Sequence, residues 1–285
     1  MKVSRTAYYR YARGNSYNSD KKYLRAKHEI RKEFLVNKKR YGSRRIKVAI
    51  LENGIEISRK TVVKLMKEEE LKALQPKSFT PKTTDSKHGK RVAENLLLNQ
   101  PKPTAPDQIW VSDITYIALK SGKWRDAAQT YLATYMDLYT RKIVGWKVDD
   151  NMRETLVRES LETALIKRKI KVGSELIIHS DRGSQYLSDN MNKLINKTFK
   201  ISQSMSRKSE CYDNANAESL WSRLKTELEI PKDGYENIQK LRTVLFEYIE
   251  AYYNPKRLHS SIGYKSPDKF EMRYHKNHVK QATKV

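Results

Sequence analysis

The sequence predicts an α/β fold on one mixed five-stranded sheet, with an all-helical domain of helix-turn-helix pattern in front of it. Three observations predict this. Five β-branched or aromatic runs follow Pro106 and alternate with helical periodicities, as an α/β layout requires. Two short amphipathic helices joined by Asn53-Gly54 precede residue 75. Between these regions lie Pro76, Pro81, Pro101, Pro103 and Pro106, five of the chain's eight prolines.

Taken in order, residues 21–40 predict one Lys/Arg-rich helix with Leu24, His28, Ile30, Phe34 and Leu35 as its apolar positions. Ser43–Glu52 carries Ile46, Ala49, Ile50 and Leu51 at helical spacing, and Asn53-Gly54 breaks it. Ser58 is placed to cap a second helix running to about Glu70. On that helix Val62, Val63, Leu65 and Met66 are expected inward, while Lys60, Lys64 and Lys67 share the outer face. A basic outer face on the second helix of such a pair suits a DNA groove or backbone, and equally a solvated helix face. Residues 76–106 read as a linker, interrupted by a short helix at 91–98. Strands are expected at 109–119, 131–139, 143–148, 175–180 and 200–203, and helices at 154–168, 188–196, 214–229 and 237–253. The predicted domains are a helix-turn-helix-like domain suited to DNA binding at 1–75, the linker at 76–106, an α/β core at 107–272 and a basic tail at 273–285.

Composition narrows the function. The 285 residues carry 58 Lys+Arg against 33 Asp+Glu, a net charge of +25, with 38% hydrophobic residues. That is enough apolar material for real cores. Residues 1–100 hold 26 of the Lys+Arg and 10 of the acids. Such a basic front end suggests a polyanion partner, nucleic acid being the commonest, and charge alone does not separate this from a ribosome-associated or merely soluble basic protein. No apolar run reaches the roughly 18 residues of a membrane helix, and MKVSRTAYYRYARG lacks the apolar stretch of a signal peptide. The single cysteine, Cys211, can form neither an internal disulfide nor a thiolate zinc site. A secreted disulfide scaffold, a membrane protein and a Cys-rich zinc finger are therefore excluded.

Three acids carry the candidate chemistry. Asp113 interrupts an otherwise apolar strand, where an acid is costly unless a cation pairs with it. Asp181 directly follows the strand predicted to be central, at the end where α/β sheets hold ligands. Glu218 lies on the 214–229 helix, with Lys225 two turns further along the same face. Carboxylate oxygens suit Mg²⁺ or Mn²⁺, and two such ions would support in-line phosphoryl displacement, with Lys225 on a nearby phosphate. Each acid also has a plainer reading: Asp113 as an edge-strand residue, Asp181 as a turn former, Glu218 as an acid at a helix N-terminus.

The segments YGSRRI (41–46), WVSDITYI (110–117), YMDLYTRKIVGW (135–146), HSDRGSQY (179–186), QSMSRKSECYDNANAESLWSRLKTE (203–227) and YYNPKRLHSSIGYKSP (252–267) follow one another in a familiar order. In them the chain resembles the second-frame (OrfB) transposases of the insertion sequence three family, in the retroviral integrase superfamily. The resemblance implies a ribonuclease H-like catalytic core and an acidic triad falling on Asp113, Asp181 and Glu218. It implies two Mg²⁺ or Mn²⁺ ions, double-stranded DNA as substrate (element ends and target), a homo-oligomer in the active complex, and an upstream-frame protein or fusion. A bacterial cytoplasmic location, with nucleoid association when bound to DNA, goes with it. Two features depart from the family: 36 residues separate Asp181 from Glu218, one more than usual, and Ser209-Glu210 stand where Gly-Asn is usual. A ribonuclease H-like nuclease without strand transfer, or an inactive DNA-binding regulator of the element, is the alternative.

Around these motifs Arg182, Lys208, Arg223, Lys225, Lys256, Arg257 and His259 are candidate phosphate contacts, and Tyr186, Tyr212 and Trp221 candidates to stack on bases. For Trp221, packing in the core competes with stacking. His179 reads as a core histidine or a supporting residue. His275 and His278 have ligand spacing but lack the two cysteines of an integrase zinc site.

Overall fold

A computed structural model describes residues 4–13, 15–76, 92–98, 100–120, 129–207 and 215–282. It forms two compact units, residues 1–75 and 76–285.

The first unit contains helices α1 (Arg5–Ala12), α2 (Asn15–Val36), α3 (Ser43–Glu52) and α4 (Arg59–Glu68). The predicted 21–40 helix starts earlier and stops at Val36. There the Asn37 amide donates to the Glu33 carbonyl, and Lys38 and Lys39 turn left-handed at φ 50° and 60°. The buried stripe of α2 is Ala26, Ile30 and Phe34, at four-residue spacing; Leu24 and Leu35 lie exposed on its flanks, contrary to expectation. Ile46, Ala49 and Ile50 of α3 meet Val62, Leu65 and Met66 of α4 in the core. Leu51 and Val63, expected inward, are exposed, because a 3.6-residue turn carries each out of its neighbours' stripe. The Ser58 hydroxyl caps α4 by accepting from the Thr61 amide at 3.1 Å.

The second unit is built on strands β1 (Ile109–Ala118), β2 (Gln129–Asp137), β3 (Ile143–Asp149), β4 (Ile177–Ser180) and β5 (Ser202–Met205), in the order β3-β2-β1-β4-β5. The β1–β2 and β2–β3 pairs are antiparallel, and β1–β4 and β4–β5 are parallel, so the sheet is mixed with β1 at its centre. Alternation along β1 serves both faces. Trp110 points to a core with α5 (Glu154–Lys167), while Val111 and Ile117 point to a core with α7 (Ala215–Glu227) and α8 (Ile238–Tyr248). Gly145 lets α5 lie close on β3: a Cβ there would sit 2.5 Å from the Ser160 carbonyl oxygen. After α7 the chain returns to the end of β1, where Gly234 at φ +81° abuts the Ala118 carbonyl and Tyr235 bridges Leu119.

Three expectations are corrected here. Residues 92–98 form no helix; they run along β5, with Leu96 N donating to Ser204 Oγ at 3.0 Å and Met205 N to the Glu94 carbonyl at 3.3 Å. The last strand begins at Ser202, because Lys200 adopts a left-handed turn at φ 51° after the short helix α6 (Asp189–Asn192) and a π-helical stretch, Lys193–Phe199. Those wide turns hold about one more residue per turn than an α-helix would, and they lie between Asp181 and Glu218, where the spacer is one residue longer than usual. The described part of the predicted basic tail, 273–282, lies in a helix, α9 (Pro267–Ala282), whose start carries the Ser266-Pro267-Asp268 sequence of a capped helix. Ion pairs hold α9: Lys142 to Asp268 and to Glu271, both at 2.8 Å, and Arg168 to Glu271 at 2.5 Å. Among the described residues no helix is long and apolar enough to cross a membrane.

The turn after β2 supplies a first prediction. Asp137 is fully buried and accepts from Thr140 N at 2.6 Å, Thr140 Oγ1 at 2.7 Å and Asp107 N at 2.7 Å. Burial pushes its pKa up, and the three donors oppose that. Asp137→Asn would aim an amide N–H at one of these donors. The expected cost is about 1–3 kcal/mol, seen as a melting midpoint several degrees lower. An unchanged midpoint would mean that this turn is not braced through Asp137.

Candidate active site

Asp113 lies at the middle of the central strand, which removes the edge-strand explanation for it. The parallel register of β1 and β4 pairs Val111 with His179. Continued by two residues, it sets Asp113 beside Asp181, just past the C-terminal end of β4. Both carboxylates are half-buried. Asp113 Oδ1 accepts from Ile114 N at 2.8 Å and Oδ2 from Trp221 Nε1 at 2.9 Å. Asp181 Oδ1 accepts from Gly183 N at 3.0 Å, so the aspartate does shape its turn as well. Glu218 is the fourth residue of α7, one turn before Trp221; its side chain lies outside the described residues. Among the described residues no three His, Cys, Asp or Glu side chains converge, so the described part of the site is the aspartate pair.

Other groups crowd these acids. Lys225 Nζ stands 4.4 Å over the Tyr116 ring. Burial lowers its pKa, and the Asp113 charge opposes the shift. Arg182 is half-buried and donates to the Ser206 carbonyl at 2.7 Å, tying the Asp181 turn to the end of β5. His179 is fully buried between Ser204 Oγ at 2.9 Å and Ser206 Oγ at 3.2 Å, a core histidine joining β4 to β5.

The remaining candidates divide. Lys60, Lys67, Arg223 and Lys256 are exposed. Lys64 is exposed too, but stands 5.5 Å over the Tyr23 ring and 3.8 Å from Glu68. His259 is half-buried, with Nδ1 3.0 Å from Ser261 Oγ. His275 and His278 are exposed on α9. Lys208, Ser209, Glu210, Cys211 and Tyr212 lie outside the described residues. Two expectations are corrected. Arg257 is 1% exposed and pairs with Glu227 at 2.7 Å, so it cannot reach a phosphate. Tyr186 is also buried, its hydroxyl 2.9 Å from Ser112 Oγ, and cannot stack on a base. Burial pushes the Tyr186 pKa up, and the nearby acids, Asp181 and Asp113 among them, push it further. The contacts of Trp221 with Asp113 and of Tyr116 with Lys225 were not readable, since each joins residues about a hundred positions apart.

A central strand bearing one acid, a parallel neighbour ending in another, and a helix behind them define an integrase-type core. Residues 103–211 and 199–267 match family models described as "Integrase core domain", and residues 22–79 match one described as "HTH-like domain". The 31 kDa protein of insertion element IS600 from Shigella sonnei is 38% identical over 96% of this chain and 96% of its own length. Transposase InsF for insertion sequence IS3A from Escherichia coli (strain K12) is 33% identical over 95% of this chain and 91% of its own. Among solved structures, a chain of the simian T-cell lymphotropic virus intasome in complex with PP2A regulatory subunit B56 gamma is 15% identical. That likeness covers 79% of this chain and 70% of that one, with a TM-score of 0.45. The chain belongs to the insertion sequence three family of transposases, polynucleotidyl transferases of DNA transposition and integration.

Proposed function

We propose that this chain cleaves insertion-sequence ends and joins them to target DNA by metal-dependent transesterification at Asp113, Asp181 and Glu218. What carries the reading is the parallel register of β1 and β4, which sets two carboxylates side by side at the mouth of the sheet. The oxygen donors of the pair suit a hard divalent cation, Mg²⁺ or Mn²⁺, and Asp113 is already oriented by an indole N–H, as metal-binding carboxylates usually are. Bound there, two such ions would activate the attacking oxygen and stabilise the leaving one.

The chain's own groups then have distinct tasks. Asp113 and Asp181 would hold the cations from adjacent strands, and Glu218 would complete the set from α7. Lys225, a half-buried cation beside Asp113, takes a phosphate oxygen of the DNA next to the reacting bond. Water attacks first and frees a 3′-hydroxyl, which then attacks a second phosphodiester. Both steps are in-line displacements in which each new P–O bond replaces one that breaks, so one site serves both. Exposed Arg223 and Lys256 contact the DNA backbone, as do Lys60, Lys64 and Lys67 of the front domain. The protein works as a homo-oligomer in the bacterial cytoplasm, on double-stranded element ends and target, with an upstream-frame protein or fusion reading the end sequence.

The test is incubation of the full chain with labelled element-end DNA and Mg²⁺ or Mn²⁺. Products longer than the substrate are expected. Cleavage without joined products would favour a nuclease, and binding without any reaction would favour a regulator.

A further inference from the structure

The geometry points to Trp221 as the positioning residue of Asp113, its indole N–H fixing the carboxylate for a divalent cation and tying metal affinity to the placement of α7. This rests on the acidic-site reading above. Trp221 is 7% exposed and lies in the apolar core between the sheet and α7, where burial alone asks only for a large apolar side chain. What tryptophan adds is a single donor, and that donor is aimed at Asp113 Oδ2 at 2.9 Å. A buried indole N–H needs a partner, and a carboxylate makes the bond charge-assisted. Asp113 Oδ1 is meanwhile turned to Ile114 N at 2.8 Å, so both oxygens are oriented by the chain. Each carboxylate oxygen has two lone-pair sites, so these bonds leave room for a cation.

The bond also registers a helix against a strand. One turn beyond Trp221 on α7, Lys225 sits 4.4 Å over the Tyr116 ring, three residues beyond Asp113 on β1. Two rungs, Asp113 to Trp221 and Tyr116 to Lys225, therefore join β1 and α7 and oppose sliding and rotation of the helix. Glu218 stands on the same helix one turn before the first rung, so its placement relative to Asp113 depends on that rung.

The experiment is a Mn²⁺ titration of the full-length chain, with free Mn²⁺ read by electron paramagnetic resonance. It is run on the parent, Trp221→Phe, Asp113→Asn, and a chain with 3-benzothienylalanine at 221, which keeps the bicyclic shape and lacks the N–H. Both Trp221 replacements are expected to weaken Mn²⁺ binding about 10–100-fold, the range for losing an outer hydrogen bond to a metal ligand. They should raise the Mn²⁺ needed for half-maximal joining by the same factor, with DNA affinity unchanged. Parent-like Mn²⁺ affinity in a folded chain lacking the N–H would overturn the proposal while leaving the acidic site standing. If Trp221→Phe does not fold, the benzothienyl chain decides. Mn²⁺ binding that survives Asp113→Asn would instead overturn the acidic-site reading, and this proposal with it.

Discussion

Asp181→Asn is expected to reduce cleavage and joining by at least about 10³-fold, beyond the 10²–10³ lost when one donor to a transition state is removed. The substitution keeps size and shape. An asparagine oxygen can still accept from Gly183 N, which Asp181 Oδ1 now does at 3.0 Å, so the turn after β4 should survive. What disappears is the negative charge beside Asp113, and with it the anionic group that would hold a divalent cation on the proposed reading. DNA binding should stay within about twofold, or tighten slightly, because affinity for the backbone comes from the lysines and arginines of a chain with net charge +25. The measurement is joining and cleavage on labelled element ends beside a binding isotherm at the same salt. Retained activity would remove Asp181 from the reaction. Equal loss of activity and binding would make it a turn residue only, the plainer role that its bond to Gly183 also supports.

Much of this site was legible because an acid in an apolar strand and an acid at a strand end are anomalies visible in one dimension. Asp113 stands out among Val111, Ile114 and Ile117, and Asp181 follows Leu176–Ser180. Periodicity likewise exposed α3 and α4, since Ile46, Ala49 and Ile50 and then Val62, Leu65 and Met66 recur at helical spacing. The misreadings came where a residue's partner is remote. Arg257 sits in a Lys/Arg/His-rich segment that reads as surface, yet its partner Glu227 lies thirty residues earlier on α7. Helix α9 is attached through residues far away in sequence: Phe270 and Tyr274 pack on the Tyr139 ring, and Lys142 and Arg168 pair with its acids. Its Ser266-Pro267-Asp268 start was a readable signal that the polar composition concealed. Leu51 and Val63 failed for a smaller reason: an apolar residue adjacent to a buried stripe is not thereby part of it.

Arg257 yields the largest stability effect. Its guanidinium donates to both Glu227 oxygens, Nη2 to Oε1 at 2.7 Å and Nε to Oε2 at 2.8 Å, and Tyr248 donates its hydroxyl to Oε2 at 2.9 Å. Burial works against the charged form of Arg257, but the charge and hydrogen bonds of Glu227, together with Tyr248 and Tyr253, outweigh it and hold the pKa above the ordinary arginine value. Arg257→Leu leaves a buried carboxylate without its guanidinium partner, and removing one partner of such a pair costs about 3–5 kcal/mol. For a unit of this size the melting midpoint should fall by roughly 6–20 °C. Glu227→Leu with Arg257→Leu should recover most of that loss, since no charge is then stranded. A phosphate contact would behave in the opposite way: Arg257→Leu would leave the midpoint unchanged and lower the salt dependence of DNA binding by about one ion. Because the pair closes the far end of the helix that carries Glu218 and Trp221, Arg257→Leu should also lose joining activity below its melting range. The double variant should regain stability before it regains that activity, since leucines restore burial without restoring the directional lock on α7.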